Sequence, residues 1–312
     1  MTPASSVLLL TTLTGFGYGL LAWLGVFAAL GLLPASPWFV PVAVAVALAL
    51  SSGGLIASTL HLGHPERAWR AFSQWRSSWL SREGVASILA YPPALAFAAL
   101  WYVAGTGARS TILVGLLAAA LGLVTVYCTA MIYASLKPIR QWHNAHTMPD
   151  YLIFALFSGA VLLAALIGLW TGHAVASGVV VVAAGAAAAL AKTLYWRCID
   201  AQSPLTTLAS ATGLAAFGTV TPLDQPHFTE NYILREMGYQ VARKHALKLR
   251  RIAMIAAFAI PCALAAIAVL GGAPMITAPL AVIFAAAGLF IERWLFFAEA
   301  THVATIYYGR AV

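Results

Sequence analysis

Apolar residues along this chain come in long runs separated by short polar breaks. Eight runs lie at about 7–33, 37–62, 83–105, 111–135, 150–172, 174–197, 250–271 and 277–301. Each is long enough to cross the hydrocarbon core of a bilayer as a helix, which takes about 20 residues. The pattern predicts an all-α polytopic membrane protein, a bundle of eight transmembrane helices forming one domain over 1–312. The first run has no basic segment before it and is too long for a signal peptide, so it reads as a span.

One connection is long, about 198–249. It begins "CIDAQSPLTTLASATGLAAFG", a small-residue stretch without regular period, and passes the proline-bounded turn "TPLDQPHF". It ends "TENYILREMGYQVARKHALKLRRI". There Thr229 is a candidate N-cap with Glu230 in the first turn, and Ile233, Met237, Val241 and Leu247 or Leu249 recur at near-helical spacing among Arg and Lys. The spacing predicts a basic amphipathic helix before helix 7. Such a helix serves either the anionic headgroup layer or a docking surface for a partner protein.

Composition agrees with the membrane reading. Charged residues are 8% of the chain and hydrophobic ones 62%, where a soluble domain carries roughly a quarter charged. The net charge of +8 is a matter of topology rather than nucleic acid. Fifteen of the 17 Lys and Arg fall in or beside alternate loops. Arg67, Arg70, Arg76 and Arg82 lie between helices 2 and 3, and Lys137 and Arg140 between 4 and 5. Lys192, Arg197, Arg235, Arg243, Lys244, Lys248, Arg250 and Arg251 flank or fill the loop between 6 and 7, and Arg310 follows helix 8. Only Arg109 is on the other side, and Arg293 lies inside helix 8. The positive-inside rule then places both termini and the large loops in the cytoplasm, in the inner membrane of a bacterium. Cys128, Cys198 and Cys262 are scattered, with no C-x-x-C, which supports neither a thiol-bound cluster nor c-type haem.

Ionisable groups within spans are costly and each needs a reason. Glu83 opens helix 3, with Ser87 and Tyr91 following at helical spacing on the same face. His61 closes helix 2. Helix 8 carries "FIERWLFFAEATHVATIYYG", in which Glu292, Phe296 and Glu299 share a face and Arg293 lies about 100° round. His61, Arg67, Glu83 and the end of helix 8 fall at one depth, near the cytoplasmic boundary. A histidine, an arginine and carboxylates beside aromatics suit a quinone head group, which needs donors at its carbonyls and two protons on reduction. Plainer roles stand beside this one. They are an interfacial histidine, topogenic arginines, a dipole-favoured glutamate, an aromatic belt of Trp69, Trp75 and Trp79, and a Glu292–Arg293 ion pair. Of the eight histidines none falls at mid-bilayer, and the pair in "QWHNAH" is in a loop, so no haem is expected. A secondary transporter using Glu83, Glu292 and Glu299 as proton relays is the rival of another class. The lack of a usable inverted repeat argues against it.

The segment "STLHLGHPERAWRAF…SSWLSREGVAS" resembles the joint between helices 2 and 3 of the DmsC family, the membrane anchor subunits of dimethyl sulfoxide reductase-like enzymes. The family pattern L-H-L-G-x-P-x-R-A, then L-S-x-E, is matched at Leu60, His61, Leu62, Gly63, Pro65, Arg67 and Ala68, and at Leu80, Ser81 and Glu83. "ERWLFFAEATH" resembles the family's last helix. The resemblance implies a three-subunit oxidoreductase complex. A molybdopterin subunit does the substrate chemistry, a ferredoxin-like subunit carries iron–sulfur clusters, and the anchor exchanges electrons with the quinone pool. It implies a quinone site at His61, Gly63, Arg67 and Glu83, with Arg293 a weaker match, and His61 and Glu83 as the proton-handling pair. "QWHNAHTMPDY" and the basic segment before helix 7 look more like the subgroup that anchors cytoplasmic sulfite dehydrogenases, which oxidise sulfite and reduce quinone. The iron–sulfur subunit is then expected to dock on Arg76, Arg235, Arg243, Lys244 and Lys248.

Overall fold

The computed structural model describes residues 4–59, 62–105, 107–221, 223–224 and 241–308, with the side chains of 241–244 and 307–308 outside that set. Among the described residues there are eight helices long and apolar enough to cross a membrane. They are α1 (Ser5–Ala29), α2 (Phe39–Thr59), α3 (Trp79–Ala104), α4 (Arg109–Ala134), α5 (Thr147–Thr171), α6 (Val175–Asp200), α7 and α8 (Pro274–Ala298). Helix α7 runs through Val241–Met254, a π-turn at Ile255–Ala259 and Ile260–Val269. Pro261 lies two residues past the π-turn, and its missing N–H loosens the i→i−4 ladder there.

Several boundaries differ from the sequence expectation, two of them for local reasons at the candidate site. Helix α3 starts at Trp79, four residues earlier, because the Ser78 side chain accepts a hydrogen bond from the Ser81 backbone N–H and caps it. Glu83 is therefore one turn inside the helix. Helix α8 ends at Ala298 rather than 301, with Glu299 as its C-cap. The chain beyond turns away so that His302 bridges to Ile139. The amphipathic helix expected from Thr229 lies mostly outside the described residues, which resume in helix at Val241.

The bundle has two halves of four helices. In the first, α1 packs on α2 and α4, and α3 on α4. In the second, α5 packs on α6 and α8, and α7 on α6 and α8. The halves join along α1, α4 and α5, with α1 also touching α8. At the centre of that seam α1 and α5 cross backbone to backbone. A Cβ on either Gly19 or Gly159 would collide with the other helix's main chain. Helix association in lipid relies on such close approach, because the apolar solvent offers no hydrophobic gain for burying Leu on Leu.

The described parts of the long charged connections emerge at one end of the bundle. There the 4–5 loop is tightly built. The Trp142 indole donates to the Phe296 carbonyl at 2.9 Å and stacks on its ring, while the Tyr195 hydroxyl donates to the Gln141 carbonyl at 3.0 Å. Asn144 Oδ1 accepts from the His146 and Thr147 backbone N–H groups. His143 Nδ1 bonds the Ala134 carbonyl. The histidines of "QWHNAH" thus belong to a loop that locks α4, α5, α6 and α8 together.

Candidate functional site

Glu83 is buried at 3% exposure in the first turns of α3. Its Oε1 accepts a hydrogen bond of 2.6 Å from the Thr129 hydroxyl of α4. No cation is paired with it among the described residues. Below it on α3, Ser87 is buried and the Tyr91 hydroxyl lies 2.7 Å from Ser52 of α2. The polar face expected of helix 3 is real and turns into the first half of the bundle.

The loop between α2 and α3 packs against α3 beside this residue. Residues Pro65–Gln74 form a 3₁₀ segment, and its Phe72 ring packs against Gly84, where a Cβ would meet the ring. Arg82 ties the far end down, donating from Nε to the Trp75 carbonyl at 2.9 Å and from Nη2 to the Arg76 carbonyl at 2.6 Å. Its guanidinium also lies 4.2 Å from the Trp79 ring. Trp69, Phe72 and Trp75 are exposed along this segment, interleaved with exposed Arg67, Arg70 and Arg76. That mixture fits the interfacial layer, where aromatic rings and long cations each find a partner.

The structure places the expected quinone residues unequally. Glu83 is buried at the charged end of the bundle. Gly63 is exposed, with open space around it. Arg67 is exposed beside Glu66 at 3.6 Å, outside the buried polar interior. His61 lies outside the described residues, as does Arg235, and the side chains of Arg243 and Lys244 do too.

Arg293 belongs to a second buried centre, in the other half. Its Nε lies 2.8 Å from Glu292 Oε2, and its guanidinium sits 4.1 Å from the Tyr151 ring. Glu292 Oε1 is paired at 2.5 Å with Lys192 Nζ of α6. Lys192, Glu292 and Arg293 are 1%, 0% and 4% exposed. Lys192 therefore does not serve as a loop-flanking topogenic charge, as the sequence suggested. It points inward from α6, over the Tyr195 ring at 3.9 Å. The ion pair raised as a plain role for Glu292 and Arg293 is present, with Lys192 as its interhelical member. Asp150 of α5, buried at 4%, feels the charges of all three. Two cations thus face two carboxylates, which is how buried charge is held in an apolar medium. Sequence reading passed over Asp150 and Thr129. The signal for Asp150 and Lys192 was their place within the first or last turns of otherwise apolar helices.

Nearer the surface, Arg250 joins α6, α7 and the end of α8. It bonds Asp200 at 2.7 and 2.9 Å and Glu299 at 2.8 Å. Burial pushes the Glu299 carboxyl up, and Arg250 pulls it back down. A surface pocket of about 360 Å³ opens here, lined by Arg140, Gln141, Asp200, Arg250, Glu299 and Thr301 among others. Among the described residues no three His, Cys, Asp or Glu side chains are grouped as a metal site.

The chain is 35% identical over 330 residues to a sulfite dehydrogenase subunit of Allochromatium vinosum, covering 99% of each protein. It is 30% identical over 118 residues to the anaerobic dimethyl sulfoxide reductase chain YnfH of Escherichia coli, covering 36% of this chain and 40% of that one. No solved structure matches it. The family model described as DMSO reductase anchor subunit (DmsC) matches residues 6–299, so this eight-helix chain belongs to the DmsC family.

Proposed function

We propose that this chain is the membrane anchor and quinone-reactive subunit of a molybdopterin and iron–sulfur oxidoreductase that couples sulfite oxidation to quinone reduction. The observation that carries the sulfite assignment is end-to-end similarity to a subunit of a sulfite dehydrogenase. The site reading rests on Glu83, a buried carboxylate with one hydroxyl donor at the charged end of the bundle. In the cytoplasmic partner, sulfite and water give sulfate, two electrons and two protons. The electrons pass through an iron–sulfur subunit docked on the charged end, at Arg76 and the basic residues around Arg235–Lys248. They reduce a quinone whose head group sits under the 3₁₀ segment. The quinone takes two electrons and two protons to become quinol.

In this reading His61 donates to one quinone carbonyl, Glu83 hands over protons, and Arg67 orients or polarises the head group from the loop. Gly63 leaves room for close approach, and Arg293 acts at a distance on the same buried region. The molybdopterin and the clusters belong to the partners. The positive-inside rule places the docking face in the cytoplasm.

The test is His61→Ala in the purified complex. Loss of a buried or charge-assisted hydrogen bond costs roughly 1.5–3 kcal/mol, about 10- to 150-fold in quinone binding. Quinone-linked sulfite oxidation should collapse, while turnover with a soluble redox dye and subunit stoichiometry stay normal. Near-normal quinone turnover with assembly confirmed would falsify the site.

A further inference from the structure

The two buried charge centres lie on opposite sides of the seam between the halves, and a small cavity sits between them. Its volume is about 20 Å³ and its lining includes Thr11, Thr12, Thr14, Thr129, Tyr151 and Arg293. These side chains come from α1, α4, α5 and α8, so the cavity spans the seam. Most of its lining hydroxyls satisfy themselves on their own helix: Thr11 donates to the Val7 carbonyl and Thr14 to the Leu10 carbonyl. Three of its atoms do not. Thr12 Oγ1, Tyr151 Oη and Arg293 Nη1 are buried and have no hydrogen-bond partner among the described residues. Buried polar atoms are bonded in the great majority of cases, to protein or to ordered water. A water needs about 10–15 Å³ and two to four polar partners, and this cavity offers both.

We propose that the cavity holds a relay water, and that a proton route crosses the seam through it, from the Lys192–Glu292–Arg293 centre to the Thr129–Glu83 pair. The Thr129 hydroxyl is built for this step. It lies 2.6 Å from Glu83 Oε1 and 3.1 Å from the Thr125 carbonyl, with one hydrogen to give. It can accept a proton from the cavity side and donate its own to Glu83. The 360 Å³ pocket brings solvent to Glu299, and Glu299 is within electrostatic reach of Lys192. Along this route the carboxylates Glu299, Glu292 and Asp150 exchange protons with water, and Lys192, Arg250 and Arg293 hold them in place. Each quinone reduced draws two protons through the route, one at a time. The electrons arrive separately from the partner.

This inference rests on the reading of Glu83 as the proton donor to quinone, and the experiment separates the two. Gly15 lines the same cavity, and a Cβ there would meet only Ser158 Oγ, at 3.9 Å. Gly15→Ala therefore fills the cavity with a methyl and leaves every ion pair intact. Thr12→Val removes the unpartnered hydroxyl at constant shape and serves as the second variant. The assay is quinone-linked sulfite oxidation by the intact complex in H₂O and D₂O, beside Glu83→Gln. Both Gly15→Ala and Thr12→Val should lower kcat at least tenfold with unchanged quinone KM, raise the solvent isotope effect, and leave dye-linked turnover alone. Normal kcat and isotope effect in both, with Glu83→Gln impaired, overturns the route and spares the site. Normal quinone turnover in Glu83→Gln overturns both.

Discussion

The two halves of the bundle bury charge in opposite ways. In α5–α8, Lys192 and Arg293 both pair with Glu292, with Asp150 close enough to balance the charge. In α1–α4, Glu83 is just as deeply buried and has a hydroxyl instead of a cation. A mutually neutralised centre can be ionised in lipid at tolerable cost, and it fixes the relative rotation of α6 and α8. A lone carboxyl is cheap only while it is protonated. It gains something when a charge or a proton acceptor arrives beside it. The first arrangement holds helices together whatever else it does, and the second adds little to the packing and suits chemistry.

Substitutions should separate these roles. The largest effect should come from Glu292→Ala. It leaves Lys192 and Arg293 as buried cations without their bridge, a loss of about 3–5 kcal/mol. Thermal denaturation of the detergent-solubilised complex should show a fall of many degrees or no recoverable anchor. A melting curve like the wild type would mean that the cluster is wet and that its burial is misread.

Glu83→Gln should do the reverse. The amide keeps the volume and an acceptor for Thr129, so assembly and melting stay close to wild type. Quinone-linked turnover should nonetheless fall about 100-fold, the scale of a lost general acid–base group. A stability loss as large as that of Glu292→Ala would erase the contrast between the halves.

The smallest effect on the anchor itself is expected from the loop charges. Reversing Arg243, Lys244 and Lys248 to Glu should leave the bundle folded, since the ion pairs and hydrogen bonds described between the spans are made by other residues. The soluble subunits should wash off the membrane at moderate salt. If they stay bound, these residues serve lipid or topology rather than docking.

Much of this was legible in the residue order. The eight spans followed from run length alone, because backbone groups in lipid must bond within their own helix and so a spanning segment advertises itself. Glu83 stood out as a carboxylate opening an apolar run, and the structure buries it. Its partner Thr129 was not, since Thr is common in spans and 46 residues separate the pair. Lys192 was misassigned for a related reason. Two turns from the end of α6, a lysine can snorkel to the interface or turn inward, and only Glu292, reaching it from α8, decides.

By itself, then, the sequence determined the membrane class, the number of helices, the charged end and the family motif, all of which depend on local hydrophobicity and local spacing. The tertiary structure decided which helix faces meet. It joined Lys192 to Glu292 and Thr129 to Glu83, and it left a polar cavity at the seam where α1 and α5 cross at Gly19 and Gly159. Those are pairings between distant segments. Their energies come from removing charge and hydroxyl groups from water and lipid together, and no local pattern records which partner will be there.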